Sequence, residues 1–555
     1  MPAVASFESM IASRAVGSEA AGAPAPEVAV LGQLMLAFEG PEVPDWLRHR
    51  LAESPAAGLT IFRHTNVRNA AQLRELCAAL QAAAGGELPL LIAADQEGGQ
   101  LLGLGADATP FAGNMACGAA GDPGLTERVA AAIGRECRAV GVNVDYAPVC
   151  DLASNPANPG LGVRSFGSDP EGVAGHVAAF VRGLQGAGVA ATLKHFPGKG
   201  EAAVDTHHEL GLVAHPRERF EAVELRPFRA AIEAGARLVM SGHFAAPGLS
   251  GEAGLPATLA SAVMDDLLRD ALGFGGVTIS DALDMKALAQ GPLQVLDVIA
   301  ALRAGVDLLL DTPVGAARAQ VEAALVHAVR RRLLDEATVR AALARIEALR
   351  RWVGGTTQPG LEVVGSPAHG ALAGELARRS ITLVRDEAGR LPLRLAPDQR
   401  IAAVMPTPVD LTPADTSAFE APGLATALRT QHPHVDEFVT GQPPSAAEIT
   451  ALRERVRGYD LLVLGTISAS LDPAQAELAR ALLGSGVPTV TVALRTPFDL
   501  TAYPAAETHL CTYSILGPSL AALAAAIFGR APITGRLPAP IEGLYPLGHG
   551  QSRPA

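Results

Sequence analysis

Residues 188–211 read GVAATLKHFPGKGEAAVDTHHELG. A short apolar run ends in Lys194 and His195, two side chains that can both carry positive charge. A Pro-Gly-Lys-Gly turn follows, and the polar stretch beyond it contains Asp205 and His207. The apolar run predicts a buried parallel strand, because a strand covered on both faces loses the alternation of polar and apolar residues. The residues after it predict a polar site at the carboxyl end of that strand.

Apolar runs of this kind recur through the first 315 residues, separated by Ala-rich stretches with helical patterns. The eight predicted strands are Val28–Phe38, Gly58–Phe62, Leu88–Asp95, Gly141–Tyr146, Gly188–His195, Ala236–His243, Gly276–Asp281 and Gly305–Asp311. Eight strand–helix units in about 300 residues fit a (β/α)8 barrel of the TIM type. A doubly wound open sheet fits the same periodicity almost as well.

The polar residues at the strand ends favour the barrel. Most predicted strands finish on or beside a charged or histidine residue, namely Asp95, Asp145, Lys194 with His195, His243, Asp281 and Asp311. In a barrel these ends converge on one face, where the active site lies. In an open sheet they would be strung along an edge that is concave only at the switch point.

The chain of 555 residues is too long for one hydrophobic core, since single cores stop growing at about 250–300 residues. Further strands are predicted at Ile401–Met405, Leu461–Gly465, Thr489–Ala493 and Leu510–Tyr513. The Gly-rich segment GGTTQPG, residues 354–360, is the best candidate linker. We predict an α/β barrel over residues 1–353, a linker over 354–365 and a smaller α/β sandwich domain over 366–555.

The composition narrows the choice of partners and location. With 44 basic and 57 acidic residues the net charge is −13, which disfavours nucleic acid and anionic membranes. The sequence has neither a secretory signal pattern nor a run of about 18 apolar residues, so a cytoplasmic protein without membrane contact is expected. The five cysteines have no ligand-like spacing and indicate free thiols in a reducing compartment. The sequence does not indicate the oligomeric state.

Asp281 lies in GVTISDALDMKAL, residues 276–288, where a predicted strand meets a predicted amphipathic helix. A carboxylate that is held rigidly and partly desolvated there suits a nucleophile. A helix N-cap formed by Ser280 or Asp281 suits the same position equally well. Asp284, one helical turn further on, is expected to face solvent.

Asp205 and His207 can form a proton-transfer pair. In an extended loop, residues i and i+2 lie on the same side, so Asp205 can accept from one ring nitrogen and favour the imidazolium. His207 can then give a proton to a leaving group and later take one back. A metal site including His208 is disfavoured, because no further ligand has supportive spacing. No metal and no cofactor are expected.

Two further segments carry candidate sugar contacts. In DQEGGQ, residues 95–100, the glycines allow a tight turn beside a ligand, and Asp95 can accept from two adjacent sugar hydroxyls. Arg164 stands two residues before Phe166, which suits sugar binding but suits a structural ion pair equally well.

Together these segments resemble glycoside hydrolase family 3, in its β-N-acetylhexosaminidase branch. The matching stretches occur in the family's order: LIAADQEGGQ, VNVDYAPVCDLASNP, RSFGSDP, LKHFPGKGEAAVDTHHELG, LVMSGHFAAPGL and GGVTISDALDMKAL. The succession KHFPGxG, DxH and SDALxM is highly specific. The second domain is similar through SITLVRDEAGRLPL, APITGRLPAPI and YPLGHG.

The resemblance implies a retaining exo-β-N-acetylglucosaminidase that forms a covalent glycosyl-enzyme, with cell-wall muropeptides as candidate substrates during recycling. By resemblance, Asp281 would be the nucleophile and His207 the acid/base, assisted by Asp205. The terminal N-acetylglucosamine would be bound by Asp95, Arg164, Lys194 and His195. A histidine donor repels anions less than a glutamate does, so phosphate is a candidate acceptor in place of water.

Three positions depart from the family's pattern. Gln100 and Gly103 stand where arginines are usual, and Lys199 replaces a histidine. A lost charge-assisted contact costs on the order of 2 kcal/mol of binding, which weakens the expected grip on the sugar. A β-glucosidase or β-xylosidase of the same fold and a non-catalytic sugar-binding relative are the alternatives. The DxHH loop disfavours the first, and the retained catalytic set disfavours the second.

Overall fold

The computed structural model describes residues 25–312 and 315–555. They form a closed barrel of eight parallel strands and, after it, a separate six-stranded sheet. The predicted fold class, a (β/α)8 barrel followed by a smaller α/β domain, is therefore confirmed, and the open-sheet alternative is wrong. Residues 1–24, which the prediction assigned to the barrel, lie outside the described residues. The domain limits at residues 353 and 366 stay a prediction.

Each of the eight predicted runs supplies one barrel strand. The strands are β1 Leu34–Leu36, β2 Gly58–Thr60, β3 Leu91–Ala94, β4 Val144–Asp145, β5 Ala190–Phe196, β6 Leu238–Ser241, β7 Val277–Ala282 and β8 Leu308–Leu310. Every strand pairs in parallel with its sequence neighbours. Pairing of β1 with β8 closes the ring.

The first predicted run, Val28–Phe38, is too long. Its first part lies in two short helical segments, Pro26–Ala29 and Val30–Gln33, and the strand starts only at Leu34. The side-chain amide of Gln33 donates to the carbonyl of Asp307, 3.0 Å away. The apolar character of this run therefore reflects burial at the end of the barrel where the strands begin.

Helices surround both sheets. The longer ones are α1 Asp45–Glu53, α2 Ala70–Ala84, α3 Asn114–Ala120, α4 Pro123–Val140, α5 Pro170–Gly186, α6 Leu225–Glu233, α7 Gln294–Arg303, α8 Gly315–Arg330, α9 Glu336–Gly354, α10 Pro367–Ser380, α11 Leu424–Arg429, α12 Ala446–Val456, α13 Pro473–Leu483 and α14 Gly517–Ile527. A π-helical segment, Ala262–Ala271, lies between β6 and β7. Across the two described ranges, we find no helix with the length and apolarity needed to cross a membrane.

Helix α9 closes the barrel at the end where the strands begin. Its Arg345 pairs with Asp307, just before β8, at 2.6 Å, and its Arg350 donates to the carbonyl of Pro89, just before β3, at 2.7 Å. Between these contacts, Ile346 and Leu349 join the apolar cluster inside the barrel. Because this end is filled, the open end lies at the carboxyl ends of the strands, where the polar residues converge.

The second sheet has the strand order β9-β14-β13-β12-β10-β11. Its strands are β9 Thr382–Asp386, β10 Ile401–Pro406, β11 Val435–Thr440, β12 Leu461–Thr466, β13 Thr489–Ala493 and β14 Thr508–Cys511. Only β9 runs antiparallel to its neighbour among these six strands. The sequence did not predict β9 and β11, because both contain charged residues; β11 is an edge strand whose Asp436 and Glu437 are exposed.

Replacing Ile346 by alanine tests the role of α9. Ile346 is 3% exposed, so Ile346→Ala should lower the free energy of unfolding by about 2–5 kcal/mol through a cavity in the barrel floor. Chemical denaturation measures the loss. The control, Arg340→Ala on the exposed face of the same helix, should change stability by less than about 0.5 kcal/mol. Equal effects of the two changes would contradict this account.

Candidate active site

The carboxyl ends of the barrel strands surround a cavity of about 470 Å³. Six of the residues predicted from the sequence line it: Asp95, Arg164, Lys194, His195, His207 and Asp281. Three other polar strand ends, Asp145, His243 and Asp311, were expected at the same face but are not among its lining residues. Both Asp145 and His243 are fully buried. Asp145 accepts from the backbone N–H of Gln96 at 2.9 Å, and Nδ1 of His243 lies 2.8 Å from Thr258 Oγ1.

Asp281 is the last residue but one of strand β7, and its surroundings exclude the helix-cap interpretation. Residues 283–290, all within the described part of the chain, form turns instead of the predicted helix, and α7 begins only at Gln294. The side-chain amide of Gln290 donates to three carbonyl groups of these turns. Asp281 accepts from the N–H of Ala282 at 2.9 Å, which fixes the carboxylate at the cavity wall. Asp284 is exposed at the rim of the cavity.

The carboxyl group of Asp281 is ionised. Burial raises its pKa, but the positive charge of Lys199, followed by that of His243 and His207, outweighs burial. The hydrogen bond from Ala282 acts in the same direction, so that the pKa lies below its ordinary value. An anionic, partly desolvated carboxylate at this position can act as a nucleophile.

His207 and Asp205 lie in the loop between β5 and β6 and form the expected pair. The ring Nδ1 of His207 is 2.6 Å from Asp205 Oδ1, which also accepts from the backbone N–H of His207 at 3.0 Å. The side chain of Asp205 is 8% exposed and that of His207 20%. Burial raises the pKa of Asp205, but its bond to His207 and the ring's charge hold the pKa well below its ordinary value. With Nδ1 engaged, Nε2 of His207 is the atom that can exchange a proton.

A buried carboxylate, Glu97, joins the predicted cations. Lys194 Nζ lies 2.5 Å from Glu97 and 2.6 Å from Asp95, and the Arg164 guanidinium donates to Glu97 at 2.8 and 3.0 Å. Burial raises the pKa of Glu97, but Arg164 and Lys194 lower it to about 2. Arg164 is thus both a cavity residue and a partner in a structural ion pair. Sequence reasoning missed Glu97, although its place directly after β3 in the DQEGG turn was the available signal.

His195 is not the second cation expected from the sequence. Burial, together with the nearby positive charges of Lys199 and Arg164, lowers its pKa well below the ordinary value. Its ring Nδ1 is 2.7 Å from the buried Asp151, and Nε2 is 3.9 Å from Asp281. A neutral ring therefore donates from Nδ1 to Asp151 and presents Nε2 as an acceptor towards Asp281. Asp151, which also accepts from Lys199 N–H, was likewise missed.

The second domain forms part of the cavity wall. Pro413, Ala414 and Thr416, from the loop after β10, are among the lining residues. The side-chain amide of Gln100 donates to the Ala414 carbonyl at 3.0 Å, and the Gln100 carbonyl accepts from Thr416 N–H at 2.8 Å. Gln100, the first departure from the family's pattern, therefore connects the two domains.

Gly103 is the second departure from the family's pattern. Its close backbone surroundings exclude a side chain, and a different arginine, Arg63, lines the cavity. A Cβ atom at Gly103 would lie 2.6 Å from the carbonyl oxygen of Asp95, so this backbone leaves no room for a side chain. Arg63, from the segment after β2, lines the same cavity and is 7% exposed. Its guanidinium lies over the ring of Phe419, 4.2 Å from the centroid. A guanidinium is thus present in the site although the usual positions lack one.

Lys199, the third departure, is buried, at 4% exposure. Its backbone N–H donates to Asp151 at 2.8 Å, and its charge is the largest influence opposing burial at Asp281. Burial lowers the pKa of Lys199, while Asp281 and Asp151 act in the opposite direction. The substitution therefore places a buried cation where it keeps Asp281 anionic.

Residues 30–349 match the family model for the glycosyl hydrolase family 3 N terminal domain. The chain belongs to glycosyl hydrolase family 3. The family predicted from the sequence, and with it the enzyme class, glycoside hydrolase, is confirmed. This family-3 chain is similar to several described proteins over nearly its whole length.

Among solved structures it is similar to a family 3 β-N-acetylglucosaminidase from a Paenibacillus species, with a TM-score of 0.87 and 34% identity, covering 94% of this chain and 99% of that one. β-Hexosaminidase A of Pseudoalteromonas piscicida is 31% identical over 90% of this chain and 92% of its own length. A β-N-acetylglucosaminidase/β-glucosidase of Cellulomonas fimi is 32% identical, with 92% of each chain covered.

Replacing Lys199 by methionine tests its electrostatic role. Because Lys199 helps to hold the pKa of Asp281 below its ordinary value, Lys199→Met should raise that pKa. Asp281 would then be protonated at a higher pH, and the acid limb of the kcat/KM profile should move upward. A shift of about one pH unit would correspond to about 1.4 kcal/mol. The control is Lys286→Met, which removes an exposed lysine at the rim. Coincident acid limbs in the parent enzyme and Lys199→Met would refute this role.

Proposed function

We propose that the protein is a retaining exo-β-N-acetylglucosaminidase. The observation that carries the proposal is the ionised Asp281 in the same cavity as the His207–Asp205 pair. A retaining glycosidase needs an anionic nucleophile and a proton donor beside one anomeric carbon. The names of the similar proteins from Paenibacillus and Cellulomonas, both β-N-acetylglucosaminidases, support the choice of sugar.

In the first step Asp281 attacks the anomeric carbon, while Nε2 of His207 donates a proton to the departing oxygen. The result is a covalent glycosyl-enzyme on Asp281 and a neutral His207 ring. In the second step His207 takes a proton from the incoming water, which displaces Asp281 and restores the β configuration. Asp205 stabilises the imidazolium before the first step and after the second, because its carboxylate remains ionised.

The terminal sugar is held by residues at the ends of β3 and β5. Asp95 accepts from sugar hydroxyls, and Lys194 orients that carboxylate through their 2.6 Å contact. The neutral His195 accepts through Nε2, and Arg164, which shares Glu97 with Lys194, donates beside them. Tyr146 and Met240 close the base of the cavity, which limits it to the end of a sugar chain and supports exo action.

A β-glucosidase or β-xylosidase remains the second candidate, because the Cellulomonas relative is named for both β-N-acetylglucosaminidase and β-glucosidase.

Phosphate is a candidate acceptor in place of water. Arg63 and Lys286 line the cavity and attract an anion. A histidine as the proton donor repels an anion less than a carboxylate in its place would.

Cell-wall muropeptides are the proposed natural substrates. The five buried, unpaired cysteines support a reducing, cytoplasmic location.

A panel of aryl β-glycosides tests the substrate class. We expect the highest kcat/KM with the N-acetylglucosaminide, lower values with the glucoside and xyloside, and the β anomer as the first product seen by NMR. The same panel in phosphate buffer should release N-acetylglucosamine 1-phosphate if phosphate is the acceptor. A higher kcat/KM with the glucoside would contradict the proposed substrate. Rates and products that are unchanged by phosphate would rule out phosphate as the acceptor.

Variants of the two reacting residues test the roles and the non-catalytic alternative. Asp281→Ala should lower kcat by at least about 10³-fold with the thermal midpoint retained, whereas Asp284→Ala at the rim should stay active. His207→Ala should cost about 10²–10⁴-fold with poor leaving groups and much less with activated aryl substrates, because only poor leaving groups need the proton. An active Asp281→Ala variant would overturn the assignment of the nucleophile. Equal losses with both kinds of leaving group would overturn that of the proton donor.

A further inference from the structure

A second cavity, of about 260 Å³, lies between the barrel and the second domain. The loop after β10 contributes to both cavities: Leu411 and Thr412 line this one, and Pro413 and Ala414 line the active site. On the barrel side the wall is formed by Gln100 and by residues between 153 and 163, in the segment that follows β4. The cavity is close to the lower end of the range of ligand sites, which is about 300–1,000 Å³.

The cavity lies at the topological switch point of the second sheet. In the order β14-β13-β12-β10-β11, the chain leaves β10 for β11 on one side and then crosses to β12 on the other. Loops at the carboxyl ends of β10 and β12 therefore diverge and leave a crevice, which is where open α/β sheets bind ligands. Thr412 follows β10, and Ile467 and Ser468 follow β12; all three line the cavity.

Buried polar atoms at this cavity lack partners. Within the described residues, neither Thr412 Oγ1 nor Gln442 Oε1 has a hydrogen-bond partner, and Thr412 is only 8% exposed. Leaving such a group unpaired costs free energy, which a bound ligand can recover. Rotation about χ1 of Thr412 exchanges its methyl and hydroxyl groups, so the hydroxyl can be presented to the cavity. Arg495, 4% exposed, adds a guanidinium to the wall.

The electrostatics favour an uncharged ligand. The charge of Arg495 is balanced by Asp415, 2.7 Å away. The N-terminus of α13 is closed to anions, because the Asp472 carboxylate accepts from Ala474 N–H at 2.9 Å and from Gln475 N–H at 3.3 Å. A phosphate would therefore find neither an unbalanced cation nor a free helix end.

The apolar lining favours a ring with one non-polar face. Pro156, Pro159, Leu161 and Phe498 line the cavity beside the polar groups. A pyranose presents C–H groups on its faces and hydroxyls at its edge, and so matches this combination. We propose that this cavity is a second binding site, for one neutral sugar unit, in addition to the proposed active site.

The cavity wall is bonded to the loop that carries the proton donor. Asn158, a lining residue, donates from its side-chain amide to the carbonyls of Lys199 and Gly200 at 3.0 and 3.1 Å. Asn155 reaches the carbonyl of Glu201 in the same way, at 3.3 Å. These residues begin the loop on which Asp205 and His207 lie. A sugar bound against this wall restrains that loop, and so couples the second site to proton transfer.

Equilibrium dialysis with N-acetylglucosamine tests the site by stoichiometry. The parent protein should bind two molecules and Leu471→Trp one, because the larger side chain fills the mouth of the cavity, where Leu471 is 45% exposed. Thr412→Val should weaken the second site by about tenfold, the loss of one hydrogen bond of about 1.4 kcal/mol. The control Leu547→Trp changes a leucine of equal exposure that does not line this cavity, and should bind two.

The other outcomes separate this proposal from the proposed function. One molecule bound by both the parent and Leu471→Trp would overturn the second site and leave the active site intact. One molecule bound by the parent and none by Leu471→Trp would support the second site and contradict the proposed substrate. No binding by the parent would overturn both assignments for this sugar. Amide hydrogen exchange in residues 199–208 should also slow more on sugar addition in the parent than in Leu471→Trp; equal slowing would overturn the coupling.

Discussion

The buried ion pairs of Glu97 are the interaction on which the active site depends. One carboxylate, 1% exposed, binds Lys194 from β5 and Arg164 from the segment after β4. Loss of that carboxylate would leave the buried Arg164 without its ion-pair partner and Lys194 with Asp95 alone, which costs several kcal/mol in a buried setting. The same network fixes Asp95 through Lys194, and the carbonyl of Gly160 through Arg164. The positions of Asp95 and Lys194, both proposed sugar-binding residues, and of the segment around Gly160 therefore depend on the same carboxylate.

Charge in the site is arranged so that one carboxylate is anionic and one imidazole is neutral. Lys199 acts on both: it helps to hold Asp281 ionised, and it disfavours a proton on His195. A histidine at position 199 would have these two effects only while its ring is protonated. A lysine carries its positive charge to a higher pH than a histidine does; burial lowers the pKa of Lys199, and the carboxylates of Asp281 and Asp151 oppose that shift.

The barrel was predictable because its eight strands are buried on both faces and so appear as apolar runs. Six predicted site residues line one cavity because the barrel brings the carboxyl ends of its strands to one face. Contacts between distant segments were not predictable. The sequence gives no sign that Gln100 bonds to Ala414, or that the carbonyl of Asp95 excludes a side chain at Gly103. The polar strand ends Asp145 and His243 also differ from expectation, because they bond to neighbouring protein groups, Gln96 N–H and Thr258 Oγ1, and do not line the cavity. Edge strand β11 was missed because its outward residues are charged.

The loop after β10 has a consequence for how this enzyme can change. It forms one wall of the active site and one wall of the interdomain cavity, and Gln100 holds it against the barrel. The groups proposed to react, Asp281 and His207, both belong to the barrel. Substitutions in residues 407–416 can therefore reshape what enters the site while leaving the bond-breaking groups untouched. Part of the cavity wall is therefore encoded outside the domain that carries the proposed reacting groups, and that part can vary while those groups stay in place.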